Sequence, residues 1–224
     1  SLSSAASDVY KRQRKVMAKE AKLYIFDMDG TILNSMVEWF HLGRNYLVAQ
    51  GVAVPDDLEQ RVETMTMDES AEYFQSLGVD KSVPEINEGI FAYIREKYRT
   101  SIPAKEGMLD LIRQLSQKED SILCILTTSE RKCAEMAMER LGVLNCFRDV
   151  FDSEQIGLNK RSGAIYQWVC EHYDVAQKDT IIFEDAIYAV KAAKETDCYV
   201  YGMKDSSNST VWNEICEMAD DIIC

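Results

Sequence analysis

Histidine is nearly absent: His41 and His172 are the only two in 224 residues. They are too few and too far apart for a sequence-level zinc motif. Paired cysteines are missing as well. Cys124, Cys133, Cys146, Cys170, Cys198, Cys216 and Cys224 are scattered, odd in number and without a CxxC spacing. That usage fits the reduced thiols of a cytoplasmic protein better than a disulfide framework, and several fall on apolar faces where Cys acts as a small hydrophobe. No apolar run approaches the length needed to span a bilayer. The N-terminus shows no continuous apolar h-region, so a cytoplasmic protein with no membrane partner is expected. Positive charge is scarce: 25 Lys and Arg stand against 38 Asp and Glu, for a net charge of −13. A general nucleic-acid binder, which neutralises phosphates with Lys and Arg, is therefore not expected. A small phosphorylated ligand stays compatible with this charge, because a local cation can override the global field.

What is present is ordinary for a globular protein, with 46% apolar and 28% charged residues. The length allows one large domain or two small ones. Residues 1–21, rich in Ser, Ala, Lys and Arg, are expected to be a disordered arm or an expression remnant, with Lys11–Lys15 as a solvated basic stretch. From Leu23 a pattern emerges. Leu23–Phe26 reads as a strand buried on both faces. A helix-rich block follows from about Ser35 to Thr100. Its first helix carries Trp39, Tyr46, Leu47 and Val48 on a broad stripe and ends near Gly51. Two more helices open on capping-box patterns, Thr66-Met67-Asp68-Glu69 and Ser82-Val83-Pro84-Glu85. After Ile102–Gly107, a linker, helix and strand alternate to the end of the chain. The strands are Ile122–Leu126, a short one around Val150–Phe151, Thr180–Phe183 and Cys198–Tyr201, and the chain closes on a short apolar end at Asp221–Ile223. Such alternation argues for a parallel sheet of right-handed βαβ units with helices on both faces. The expected division is a core over 22–34 and 105–224 with a helical insert over 35–104.

In open α/β sheets, ligands bind outside the carboxyl ends of the strands. The first strand delivers Asp27 and Asp29, two acids that are costly to hold together unless a cation or a reaction uses them. The strand ending at Leu126 delivers Thr127-Thr128-Ser129 at the start of a helix. A loop carries Lys160, and the strand ending at Phe183 delivers Glu184 and Asp185. Clustered carboxylates suit a hard cation such as Mg²⁺. Hydroxyls and N–H groups at Thr127–Ser129 suit phosphate oxygens, and Lys160 adds a point charge for the same anion. A carboxylate can then act as nucleophile. Each group also has a plainer use: Asp-Gly favours a turn, and Ser129 and Asp185 could cap the helices that follow them.

Asp27-Met28-Asp29-Gly30-Thr31, with Ile32-Leu33-Asn34-Ser35 after it, resembles the first motif of the haloacid dehalogenase superfamily. Leu126-Thr127-Thr128-Ser129 resembles the second motif, Lys160 the third, and Phe183-Glu184-Asp185-Ala186 the fourth, with Ala189, Ala192 and Ala193 continuing it. The four occur in the family's order, so the resemblance covers residues 23 to 223. The helical insert resembles the family's helical, C1-type cap. More narrowly the chain is similar to the β-phosphoglucomutase-like phosphatases. The resemblance implies a Rossmann-like α/β core with an inserted all-helical cap, and a Mg²⁺-dependent phosphatase acting on a small phosphorylated metabolite.

It also implies roles. Asp27 would attack phosphorus and form an aspartyl-phosphate, and Asp29 would serve as acid and then base. Thr127, Thr128 and Lys160 would hold the phosphoryl group. Mg²⁺ would be bound by Asp27, Asp29 through its backbone carbonyl, and Asp185, with Glu184 in direct or indirect contact. The family often has a proline shortly after its third-motif lysine, where this chain reads Lys160-Arg161-Ser162-Gly163-Ala164. That leaves Lys160 and Arg161 as candidates, with Lys160 preferred on register. Trp39, just after the first motif, is the first candidate to line a substrate pocket. A sugar phosphomutase using the same intermediate is the nearest alternative, although its early-cap histidine is not evident at Trp39. A phospho-accepting signalling module, or a binding protein that has lost catalysis, are the alternatives from other classes. A monomer or weak dimer is expected.

Overall fold

The computed structural model of the chain describes residues 4–224. Contacts divide the chain into two compact units: the stretch up to Asn34 together with Ile102–Cys224, and Ser35–Ser101.

The larger unit is built on six strands: β1 (Leu23–Phe26), β2 (Ile122–Thr127), β3 (Asp149–Asp152), β4 (Thr180–Glu184), β5 (Tyr199–Met203) and β6 (Asp221–Ile223). All neighbours are parallel, in the order β3-β2-β1-β4-β5-β6. The central strands β1 and β4 are buried along their whole length, which is why they read as unbroken apolar runs rather than alternating ones. Alternate residues still face opposite sides. On one side Phe26, Phe183 and Tyr201 stack across three neighbouring strands, with ring centroids 4.4 and 5.4 Å apart. On the other, Leu23, Ile25, Ile182 and Val200 join Ile165, Tyr166, Val169 and Val190 in one apolar core. Each such side chain contributes about 1.5–3 kcal/mol on burial.

The helices of this unit are α1 (Ser4–Ala18), α7 (Met108–Ser116), α8 (Arg131–Arg140), α9 (Ser153–Ile156), α10 (Ala164–His172), α11 (Ile187–Ala193) and α12 (Trp212–Met218). The first corrects the expectation for residues 1–21. Residues 4–18 form a helix rather than a disordered arm, held by Val16, which is buried, by Gln13 Nε2 donating to Gly107 O at 2.8 Å and by Lys118 Nζ donating to Met17 O at 3.2 Å. Residues 1–3 of that stretch lie outside the described residues.

The smaller unit is helical throughout: α2 (Met36–Phe40), α3 (Leu42–Ala49), α4 (Leu58–Val62), α5 (Met67–Ser76) and α6 (Val83–Thr100). The capping boxes at Thr66 and Ser82 are formed as their sequences indicate. On α6, Ile86, Ile90, Ile94 and Tyr98 recur every four residues and are buried, the spacing of a single helical face. The long first helix is instead two, broken at His41. Tyr46 and Leu47 are buried, whereas Val48 lies off that face and is 63% exposed. Trp39 Nε1 donates to Tyr98 OH at 2.8 Å. Glu59 accepts from Arg44 Nε and a terminal guanidinium nitrogen at 2.5 and 2.7 Å, with His41 Nδ1 at 3.3 Å. The Arg44 bonds outweigh desolvation and draw the Glu59 pKa down to about 2.

Candidate active site

Strand register assembles the site. Phe26 pairs with Ile125 on one side and Phe183 on the other, so the next residue, Asp27, leaves the sheet beside Leu126 and Glu184. Its N–H still donates to Phe183 O at 3.0 Å, which extends the ladder by one residue and fixes the exit of the chain. The chain then reverses at Gly30, whose φ of +82° is strained for any residue with a Cβ. Ile32 and Leu33 N–H both reach back to Met28 O at 3.0 Å. Strand order puts this turn where the connections diverge to either side of β1, the place where open sheets bind ligands.

Asp27, Glu184 and Asp185 each present a carboxylate oxygen, all within 4.8 Å of one another, and all three residues are buried. Lys160 enters from the loop between α9 and α10 and is 2% exposed. Its Nζ lies 2.6 Å from Asp27 Oδ1 and 3.0 Å from Glu184 Oε2. Tyr166 OH, on α10, donates to the same Glu184 oxygen at 3.3 Å. Arg161 is exposed, with its guanidinium 4.5 Å from the centre of the Tyr188 ring, so Lys160 alone of the pair enters the cluster. Three hydrogen bonds shape the loop that follows Lys160. Arg161 N donates to Asn159 Oδ1 at 2.9 Å, Gly163 N to Glu195 Oε2 at 3.0 Å and Ala164 N to Ser162 Oγ at 3.2 Å.

The electrostatics of the cluster are unbalanced. Burial raises the pKa of Asp185 well above the ordinary carboxylate range, and repulsion from Asp27 and Glu184 adds to the rise. Burial and the Asp27 charge lift Glu184 to about 7 against the pull of Lys160. For Lys160, burial opposes the charge, but Asp27, Glu184 and Tyr166 outweigh it and hold the ammonium above its usual pKa. One ammonium thus faces three carboxylates, and buried charge without compensation is costly. An all-oxygen donor set with surplus negative charge fits a hard divalent cation such as Mg²⁺.

Asp29 lies outside this cluster. It is half-buried, and its Oδ2 accepts from Ser129 Oγ at 2.6 Å. Among the described residues its carboxylate is not grouped with those that could hold a metal. Thr127 is buried and its Oγ1 accepts from Ser129 N at 3.0 Å, while Thr128 is exposed beside it. Neither plainer capping use is realised. The residue preceding α8 is Glu130, and the one preceding α11 is Ala186. Ser129 is spent on Asp29, and Asp152 Oδ2 accepts from Arg131 N in the first turn of α8. Two participants had no signal in the sequence for the contacts they make here. Tyr166 sits in the apolar stripe of α10 and reads as core, and Ser129 reads as a cap or a phosphate contact rather than as the partner of Asp29.

Known proteins resemble the chain along most of its length. The pattern of the haloacid dehalogenase-like hydrolase family matches residues 24–203. Validoxylamine A 7′-phosphate phosphatase of Streptomyces hygroscopicus subsp. limoneus is 26% identical over 186 residues, covering 81% of this chain and 85% of that protein. A phosphorylated carbohydrates phosphatase of Thermotoga maritima is 22% identical over 186 residues, covering 82% and 86%. Among solved structures, a candidate β-phosphoglucomutase from Thermotoga maritima superposes with a TM-score of 0.77 at 20% identity, covering 90% of this chain and 94% of that one.

Proposed function

The chain belongs to the haloacid dehalogenase-like hydrolases, and from that premise we propose that it is a phosphoric monoester hydrolase, a Mg²⁺-dependent phosphatase of a small phosphorylated carbohydrate. The observation that carries the reading is the division of labour between two acids only two residues apart. Asp27 is buried against Lys160, and Asp29 is held by Ser129 outside the cation cluster. Distinct environments for paired carboxylates are the basis of distinct roles.

In this reading Lys160 and the Thr127 hydroxyl bind two oxygens of the phosphoryl group and aim phosphorus at the Asp27 carboxylate. An Asp27 oxygen attacks, the P–O bond to the sugar breaks, and Asp29 gives its proton to the departing oxygen. A water then takes the place of the sugar. Asp29 accepts its proton, the water oxygen attacks phosphorus, and the bond to Asp27 breaks to release inorganic phosphate. Asp27, Glu184 and Asp185, with the Asp29 carbonyl, are the residues that would hold Mg²⁺, whose charge would neutralise the phosphoryl oxygens. Most of the rate enhancement then comes from positioning and charge placement. The carbohydrate class rests on the two phosphatases named above, which align with 81% and 82% of this chain.

A phosphate-release screen over sugar phosphates, polyol phosphates and nucleotides, with and without Mg²⁺, tests the proposal. Release from a sugar or polyol phosphate that needs Mg²⁺ and disappears in Asp27→Asn is the expected result. Unchanged release by Asp27→Asn would sink the mechanism. Turnover of β-glucose 1-phosphate, primed by a bisphosphate, in excess of phosphate release would replace hydrolysis with a mutase reaction.

A further inference from the structure

Lys105 stands in what reads as a plain linker, yet its ammonium is fully engaged. Nζ donates to Gly30 O at 2.9 Å, to Lys204 O at 2.5 Å and to Asp205 Oδ1 at 2.8 Å, which uses all three of its protons. Its own N–H donates to Ile32 O at 2.8 Å, on the same turn. The Asp205 side chain is 2% exposed. Its second oxygen accepts from Ser207 N at 3.0 Å and Ser207 Oγ at 2.6 Å. Asn208 is buried beside it. Asn208 Oδ1 accepts from Asp205 N at 3.2 Å, and Nδ2 donates to Met203 O and to Asp185 O, both at 2.9 Å. The linker and the loop after β5 are thereby joined to the two turns that carry Asp27, Asp29 and Asp185. The network ends on the backbone carbonyls of Gly30 and Asp185.

An ion pair withdrawn from water adds little net stability over apolar residues of similar volume, and with Asp205 buried and Lys105 partly so, stability alone is a poor reason for placing them here. Geometry is a better one. Two turns that leave neighbouring strands need a fixed separation if their acids are to act on one ion, and groups behind metal ligands govern that separation. We propose that Lys105, Asp205 and Asn208 form a positioning network that sets the spacing of the Asp27–Gly30 and Glu184–Asp185 turns and so determines how tightly the site binds Mg²⁺. The inference rests on the metal reading above. None of the three residues touches the carboxylates themselves; they act through the backbone.

The test is Mg²⁺ binding by isothermal titration calorimetry on the full chain, with Lys105→Met and Asn208→Leu, which keep most of the side-chain volume. Circular dichroism selects the temperature at which each variant is folded. Each variant should bind Mg²⁺ at least about tenfold more weakly, the usual effect of losing support behind a ligand. On the best substrate of the screen, kcat should fall at low Mg²⁺ and recover in part at high Mg²⁺, with KM little changed. Wild-type Mg²⁺ affinity in folded variants, whatever their melting temperature, overturns the proposal and leaves a purely structural network. Should Lys105→Met not fold, Asp205→Asn keeps the side-chain shape and a cap acceptor, removes the charge that faces Lys105, and is read in the same way. A wild-type chain that binds Mg²⁺ but hydrolyses nothing in the screen defeats the phosphatase reading and leaves this inference standing. A wild-type chain that binds no Mg²⁺ defeats both.

Discussion

Replacing Lys160 by Met should destabilise the fold in a way that depends on pH and on Mg²⁺. Methionine keeps the length and volume of the side chain but removes an ammonium that lies 2.6 Å from Asp27 and 3.0 Å from Glu184. Three buried carboxylates within 4.8 Å of one another are then left without a cation. Breaking a buried pair in this manner costs about 3 kcal/mol at the lower end of the usual range. In a chain of this size each kcal/mol moves the melting temperature by about 2–4 °C, so a fall of about 6–12 °C is expected in EDTA. The acids can escape part of the cost by taking up protons. Glu184 titrates near 7 even with Lys160 present, because burial and then the Asp27 charge raise it. An acid whose folded pKa is raised binds more protons in the native state than in the unfolded one, so it stabilises progressively less as pH rises above the unfolded value. The deficit of Lys160→Met should therefore be largest at about pH 8 and smallest at about pH 5. A cation that binds only the folded state restores about 2.7 kcal/mol at a hundredfold excess over Kd, so Mg²⁺ should recover much of the loss. Thermal melts by circular dichroism across pH, with EDTA or Mg²⁺, read all three effects. A melting temperature within about 2 °C of the wild type in EDTA at the upper pH, a change too small for a lost buried pair, would refute the charge account of the cluster.

Two further outcomes follow from particular contacts. A Cβ at position 163 would lie 3.0 Å from Ala192 O and 3.0 Å from Glu195 Cβ, so Gly163→Val should cost about 1–3 kcal/mol as an overpacked site. It should also lower kcat through displacement of the Lys160 loop, both read by melts and initial rates. In the helical unit, Glu59→Gln removes the charge that faces Arg44 and one of its two acceptor oxygens, and should lower the melting temperature by at most a few degrees at neutral pH. Since the Glu59 pKa is drawn down to about 2, its contribution is present above the unfolded carboxylate range and lost as pH falls towards 2. Wild type and variant should converge in acid, and a constant gap across that range would contradict the assignment.

Much of this molecule is legible in its sequence because its central strands are buried on both faces. Leu23–Phe26 and the strand from Thr180 announce themselves as apolar runs, and the acids that follow them mark the end of the sheet where chemistry takes place. The capping boxes at Thr66 and Ser82 are equally direct, since their hydrogen bonds are local. What escapes is of two kinds. Helix Ser4–Ala18 is polar around most of its circumference and buries only Val16, so no apolar stripe marks it. Lys105, Asp205 and Asn208 are single polar residues whose partners lie up to 100 residues away, and no periodicity records such a contact. Ser129 illustrates the same limit in a small space. Its neighbourhood reads as a helix start, but the partner that decides its role, Asp29, is 100 residues earlier.

The proposed mechanism places the phosphoryl group on Asp27 during turnover. Rapid acid quench during steady-state turnover of a substrate from the screen, followed by borohydride reduction, converts an aspartyl-phosphate to homoserine. Peptide mass spectrometry then locates it. Homoserine is expected at position 27, dependent on substrate and Mg²⁺ and absent at position 29. Its accumulation should increase in Asp29→Asn wherever that variant still forms the intermediate, since the base for its hydrolysis is gone. Turnover with no modification at position 27, or with the label on another residue, would contradict the account.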